Sequence, residues 1–321
     1  MRLARVTIAG ALLIAAAVAG AQPFPAKPLK LILPFPAGGP TDIVARLIGQ
    51  RLSEVWGQNV LIDNRPGGGG LIGATLAAKS PADGYTLYLG GITTMVLSVY
   101  VHKNLPYDPQ RDFAPVTLAT TQPLLLMTHP SLPVKTLKDF LALARARPGE
   151  INYATSGPGG SGHLAAEMLR LSTKINIVHV PYRGAPPAIN DLIAGQVQSM
   201  FGSPLAVVPH IRTGKINALA VTGQKRSPAV PNVPTFDEAG LPGYDASTWN
   251  GIAVPSGTPR AVIDRLQGEI AKILRAPATA ERLAVDGSVA VGSTPEEFAA
   301  HIKAEHVKWS KVVREANIRV E

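Results

Sequence analysis

The 321-residue sequence predicts an α/β protein of two lobes, each a mostly parallel sheet flanked by helices. Three observations predict it. Short apolar segments alternate with amphipathic helical segments from Leu29 onward, and the alternation restarts after Pro130. Two extended stretches, 113–128 and the region around Trp249, are placed to carry the chain out of the first block and back into it.

The first block opens with a strand over 29–33. A helix over 41–56 follows, with Val44, Leu47, Ile48, Leu52 and Val55 at helical spacing. A strand over 60–62, a helix over 71–78 and a strand over 86–89 complete the alternation, which reads as a parallel, doubly wound sheet. The second block reads as helix 137–146, strand 151–154, helix 162–171, strand 175–180, helix 187–194, strand 198–201, helix 205–213 and strand 218–222. After a Pro- and Gly-rich stretch through Pro242 and Gly243, two long amphipathic helices are expected over 260–274 and 295–315. A return crossing near Trp249 assigns these helices to the first lobe. The first lobe then comprises 22–123 and 250–321, the second 124–249, and a ligand is expected in the cleft between them.

Residues 1–21 read as a cleavable export signal: Arg2 and Arg5, an apolar run from Val6 to Val18, then Ala19-Gly20-Ala21. The apolar run is too short to span a bilayer comfortably, so a periplasmic location after cleavage near Ala21 is expected. The sequence has no cysteine, which excludes disulfides, thiolate metal sites and a cysteine nucleophile. With 46% hydrophobic residues the chain has ample material for a core. The formal charge of +9 falls to +7 once Arg2 and Arg5 are removed. Its basic residues are scattered and lack interleaved aromatics, so no nucleic-acid partner is expected and small anions remain open.

Three glycine-rich loops precede helices. In the first, Pro34 to Asp42, Gly38 and Gly39 let the backbone approach a ligand, and the free N–H groups of the first helical turn suit a carboxylate or phosphate. Phe35, Ala37, Thr41 and Asp42 belong to the same candidate site, although Thr41 and Asp42 also suit an ordinary helix cap. The second, Thr155 to His163, repeats the device at the equivalent place in the second block, giving Thr155, Ser156, Gly159, Gly160 and Ser161 as candidates. The third, Asn64 to Gly70, carries Arg65, for which bonding within its own fold is the commoner role. Gly202 and Ser203 end a strand and either line the cleft or form a plain turn. The first loop is not a dinucleotide fingerprint, since Gly38-Gly39 lacks the third spaced glycine. The alternative to a binding protein is a secreted hydrolase using Ser156 or Ser161 with His163. Against it, Ala154 stands where a nucleophile elbow needs glycine, and His163 falls in a helix start suited to capping. No catalytic residue, cofactor or metal site is therefore expected, the other histidines being dispersed without ligand spacing.

At these loops the sequence resembles the Bug or TctC-like extracytoplasmic receptors of tripartite tricarboxylate transporters. The motifs that carry the resemblance are Pro34–Asp42 with Arg46, Asn64-Arg65-Pro66-Gly67, Asp83-Gly84-Tyr85 and Tyr153–Leu164. It continues through His179-Val180-Pro181-Tyr182-Arg183-Gly184, Gly240-Leu241-Pro242-Gly243 and Pro255-Ser256-Gly257-Thr258-Pro259. The resemblance implies a periplasmic-binding-protein (Venus-flytrap) fold that closes over a small carboxylate and delivers it to membrane permease subunits. It also implies a grip through backbone N–H groups at Ala37, Gly38 and Gly39, opposed by the second loop. Gly160 replaces a hydroxyl residue common in relatives, and Gly202 an acid found in some. The missing acid leaves a ligand ammonium without a counter-charge and favours dicarboxylates or aromatic carboxylates over amino acids.

Overall fold

The computed structural model describes residues 24–318, apart from Asp286 and the side chain of Leu205. The expected export signal over 1–21 lies outside the described residues.

The chain forms two sheets. The first contains β1 (Leu29–Leu33), β2 (Val60–Asn64), β3 (Thr86–Gly91), β4 (Phe113–Gln122), β10 (Thr248–Pro255) and β11 (Val289–Ala290), in the order β11-β4-β10-β3-β1-β2. The second contains β5 (Leu125–Thr128), β6 (Asn152–Thr155), β7 (Val178–Pro181), β8 (Ser199–Gly202) and β9 (Asn217–Val221), in the order β7-β6-β8-β5-β9. Parallel pairing joins β1 to β2 and β3, and β6 to β7 and β8. Both sheets are nevertheless mixed, because β10 runs antiparallel to β3 and β4, and β5 runs antiparallel to β8 and β9. The reason is topological: an outgoing and a returning crossover lie side by side, and a returning strand runs opposite to the outgoing one. The extended stretch 113–128 is two strands, one in each sheet, divided by Pro123 and Leu124. Proline has no N–H for a ladder, which suits it to the break.

Helices α1 (Pro40–Trp56) and α2 (Leu71–Ala78) follow β1 and β2. Pro40 presets the first turn of α1, and Gly57, at φ 63°, ends it by donating its N–H to the Ser53 carbonyl. Val44, Ile48 and Leu52 are buried as expected, but Val55, in the last turn, is 58% exposed. A π-helical turn over Thr93–Leu97 runs into α3 (Ser98–Val101). Around the second sheet lie α4 (Leu137–Ala146), α5 (Ser161–Thr173), α6 (Ala185–Ile193) and α7 (Pro204–Arg212). The chain ends with α8 (Arg260–Arg275), α9 (Pro277–Val285) and α10 (Pro295–Glu315).

Ile263, Leu266, Ile270 and Leu274 of α8 pack with Leu29, Leu31 and Leu33 of β1, so this helix serves the first sheet. On the other face, Phe298, Ile302 and Trp309 of α10 join a cluster that includes Tyr88 and Trp249 and continues into Phe140, Tyr153 and Phe201 of the second sheet. Each such buried side chain contributes about 1.5–3 kcal/mol, and here the same apolar mass ties the two sheets together behind the cleft. Buried Glu305 fixes α10 to the returning crossover. It accepts from the indole N–H groups of Trp249 (3.1 Å) and Trp309 (2.9 Å) and pairs with Lys308, whose Nζ also donates to the Asp245 carbonyl (3.0 Å).

Candidate ligand-binding cleft

A cavity of about 210 Å³ lies where the two sheets meet. Pro40 lines it from the first sheet's side, Gln122, Pro123, Leu124 and Thr248 from the crossovers, and Ser156, Ser161, Gly162, Gly202 and Ser203 from the second. Its remaining wall is apolar: Ala185, Ile189, Met200, Phe201, Ala206 and Val207. A larger cavity, about 510 Å³, lies on the other face of the crossovers beside Thr121 and Trp249. Consecutive strand residues point to opposite faces, so Gln122 lines the smaller cavity while Thr121 and Trp249 line the larger; Pro123 and Thr248, at the crossovers, border both.

Four helices begin at the cleft. Pro40 is the first residue of α1, Ser161 and Gly162 are the first two of α5, Ala185 is the first of α6, and Ser203 is the N-cap of α7. None of the four starts has a side-chain cap, whereas α4 and α10 carry complete capping boxes, Thr136 with Asp139 and Thr294 with Glu297. In α5 the first backbone N–H to find an acceptor in its own turn is that of Leu164, bonded to the Gly160 carbonyl at 3.0 Å. The N–H groups of Ser161, Gly162 and His163 precede it and are the donors a helix leaves open at its start. Each helix start carries roughly half a positive charge. Among the described residues that line the cavity, none is a lysine or arginine. Positive potential therefore reaches the cleft through backbone dipoles.

The sequence-predicted residues divide into those that line this cavity and those that shape its loops. Ser156, Ser161, Gly202 and Ser203 line it. Phe35, Ala37, Gly38, Gly39 and Thr41 lie in the β1–α1 segment around Pro40 but outside the cavity wall. Thr41 Oγ1 donates to Asn250 Oδ1 at 3.2 Å, and Asn64 Nδ2 donates to the Phe35 carbonyl at 3.1 Å. The Asp42 carboxylate is turned into its own loop. It accepts from the Gly38 N–H (2.9 Å), Arg46 Nε (2.8 Å) and Asn64 Nδ2 (3.0 Å), and is 3% exposed. Burial opposes its charged form, but the bonds from Arg46, Gly38 and Asn64 outweigh burial and hold its carboxyl below the ordinary value. The Gly38 N–H is thus engaged within the loop, and Gly38 itself sits at φ +84°, a conformation that favours glycine. Arg65 pairs with Asp63 at 2.7 Å.

In the second loop, Thr155 is fully buried and hydrogen-bonded to His179 Nε2 at 2.6 Å. The Gly159 N–H donates to His163 Nδ1 at 3.0 Å, and the Gly160 N–H to the Gly157 carbonyl at 3.4 Å. Because His163 Nδ1 is occupied by a backbone donor, the imidazole acts as a loop brace, and no serine of the loop is hydrogen-bonded to it. Sequence reading missed Ala185, Gln122, Thr248 and the apolar wall. One signal for Ala185 was present: Gly184-Ala185-Pro186-Pro187 places prolines just inside a helix start, as Pro40 and Pro204 do for α1 and α7.

The model of the tripartite tricarboxylate transporter family receptor matches residues 44–318. The chain belongs to this family. A UPF0065 protein from the tcbD-tcbE intergenic region of Pseudomonas sp. is 41% identical over 293 residues, 91% of this chain and 87% of the relative. BugT of Bordetella pertussis is 37% identical over 95% of this chain and 94% of its own length. Among solved structures, a protein of R. palustris with adipate superposes with a TM-score of 0.79 at 38% identity, covering 92% of this chain and all of that one. MatC of Rhodopseudomonas palustris with bound malate gives 0.74 at 34% identity, covering 90% of this chain and all of MatC. Family and fold are those of two-lobed solute-binding receptors and not of enzymes, so the hydrolase alternative is set aside.

Proposed function

We propose that this receptor captures a small carboxylate in the cleft, in the periplasm, and passes it to the membrane permease subunits of a tripartite tricarboxylate-type transporter. The observation that carries the ligand class is the convergence of four helix starts without side-chain caps on a cavity lined by no basic side chain. Backbone N–H groups at Ser161 and Gly162 receive a carboxylate oxygen, assisted by the Ser156, Ser161 and Ser203 hydroxyls. Leu124, Ile189, Met200 and Val207 pack against the ligand's carbon frame, which favours dicarboxylates and aromatic carboxylates over amino acids. The adipate and malate in the two related structures support the class. The lobes that close on it are 22–123 with 250–321, and 124–249, meeting at the crossovers beside Pro123 and Thr248. The loops Phe35–Asp42 and Thr155–Ser161 shape the two jaws. Location and delivery rest on the sequence of residues 1–21 and on the family.

Isothermal calorimetry on ligand-stripped protein, against aliphatic and aromatic mono-, di- and tricarboxylates including adipate and malate, tests the reading. At least one dicarboxylate or aromatic carboxylate is expected to bind, with glutamate and aspartate inert. Absence of binding across the carboxylate panel overturns it.

A further inference from the structure

Beside the second loop, lining a separate cavity and not the cleft, two imidazoles are stacked in an arrangement that the binding reaction itself does not require. His163 stands in the first turn of α5 and His179 in the middle of β7, with ring centroids 4.1 Å apart and planes 10° from parallel. His179 stacks in turn on Tyr153, its register partner on the neighbouring strand β6, at 5.0 Å. Tyr153 is fixed below by donating its hydroxyl hydrogen to Glu167 Oε1 at 2.7 Å, and Glu167 is paired with Arg170. Each ring then reaches one point of the loop. His163 Nδ1 takes the Gly159 N–H at 3.0 Å, and His179 Nε2 meets Thr155 Oγ1 at 2.6 Å. Ser156 and Ser161, which line the cleft, lie just beyond these two anchor points.

We propose that His163 and His179 are positioning residues that hold the loop 155–161 in the shape that presents Ser156, Ser161 and the open N–H groups of α5 to the ligand. That the shape serves a carboxylate rests on the function proposed above; the brace itself does not.

The chemistry imposes a protonation state. A nitrogen that accepts an N–H cannot itself carry a proton, so His163 is neutral with its hydrogen on Nε2. Two rings at 4.1 Å cannot both be cationic without strong repulsion. The charged and titratable groups around the pair are Tyr153 from β6 and Glu167 and Arg170 from α5. Glu167 favours imidazolium, but burial outweighs it for both rings, with Arg170 opposing protonation of His163 and His163 opposing that of His179.

The experiment is hydrogen exchange of the Gly159 amide, read by nuclear magnetic resonance on ligand-free protein near pH 7, together with the ¹⁵N shifts of His163. Asparagine carries an acceptor where histidine has Nδ1, and glutamine one where it has Nε2. His163→Asn is expected to keep Gly159 exchange within about threefold of the parent, and His163→Leu to raise it at least about tenfold. His179→Leu and His163→Leu should each weaken adipate binding at least about fivefold, with His179→Gln and His163→Asn retaining it. Equal Gly159 exchange in the Leu and Asn variants overturns the brace. If His163→Leu does not fold, the parent's ¹⁵N spectrum decides: a hydrogen on His163 Nδ1 overturns the proposal. Intact exchange behaviour in a parent that binds no carboxylate rejects the proposed function and leaves the brace standing.

Discussion

Adding one methyl group at Gly162 should separate folding from binding. Gly162 is the second residue of α5 and is buried against β8. A Cβ there would lie 2.6 Å from the Phe201 carbonyl oxygen, well inside the 3.4 Å at which ordinary contact begins. Phe201 sits in an interior strand, with β6 on one side and β5 on the other, and is paired with Leu126, so the helix start is the partner that must move. The displacement is several tenths of an ångström. Gly162 has a φ outside the left-handed region, so alanine fits its backbone and gains about 1 kcal/mol of helix propensity. Overpacking costs about 1–3 kcal/mol, leaving a net loss of at most about 2 kcal/mol and a folded protein. The ligand experiences the shift differently. A charge-assisted hydrogen bond contributes about 1.5–3 kcal/mol, and misplacing one donor of the Ser161–Gly162 pair corresponds to roughly a 10- to 100-fold loss of affinity. Calorimetry of Gly162→Ala with adipate, alongside thermal unfolding, measures both quantities. A folded Gly162→Ala protein whose affinity stays within about twofold of the parent would refute the helix-start grip.

Three further outcomes are expected. Asp42→Ala removes the acceptor shared by the Gly38 N–H, Arg46 Nε and Asn64 Nδ2, although Asn64 keeps its bond to the Phe35 carbonyl, and should cost about 1 kcal/mol by chemical denaturation. Since the folded protein holds the Asp42 carboxyl below its ordinary 3.8, that contribution is complete above this value and is lost as pH falls through the lower one; the variant should show a flatter acid limb. Glu305→Ala leaves two indole N–H groups and Lys308 without their partner and should cost about 3–5 kcal/mol, while Glu305→Gln, which keeps an acceptor for the indoles, loses less. Burial, then the neighbouring His163, brings His179 down to about 4 from 6.5. Between these values the unfolded chain binds a proton that the folded one does not, so stability falls as pH drops from 6.5 to about 4; His179→Gln should make that slope shallower in pH-dependent unfolding curves, with His163, His301 and His306, also lowered by burial, supplying the rest.

Much of the architecture is legible in one dimension because its causes are local. The stripe of Val44, Ile48 and Leu52, the proline at Pro40 and the glycine at Gly57 delimit α1 within a few neighbouring residues, and the expected helix over 41–56 differs from the observed Pro40–Trp56 by one. The same local signals mark the second loop, and Ser156, Ser161, Gly202 and Ser203 stand in the cavity wall. The prolines after Gly184 mark a further helix start without indicating what that start faces.

By itself, then, the sequence determined the alternation of strands and helices, the extended run over 113–128, the glycine-rich helix openings and the lack of cysteine chemistry. The tertiary structure decided which of those openings meet. Asp42 could serve as a ligand contact or as a helix cap until β2 is laid beside β1, which brings the Asn64 amide to the Asp42 carboxylate. Likewise His163 and His179, sixteen residues apart, become a stacked pair because β7 pairs with β6 at Tyr153. Helical periodicity and capping act over one or two turns, whereas a cavity is defined by strand ends and helix starts brought together from distant parts of the chain, a relation fixed by sheet order and crossover direction.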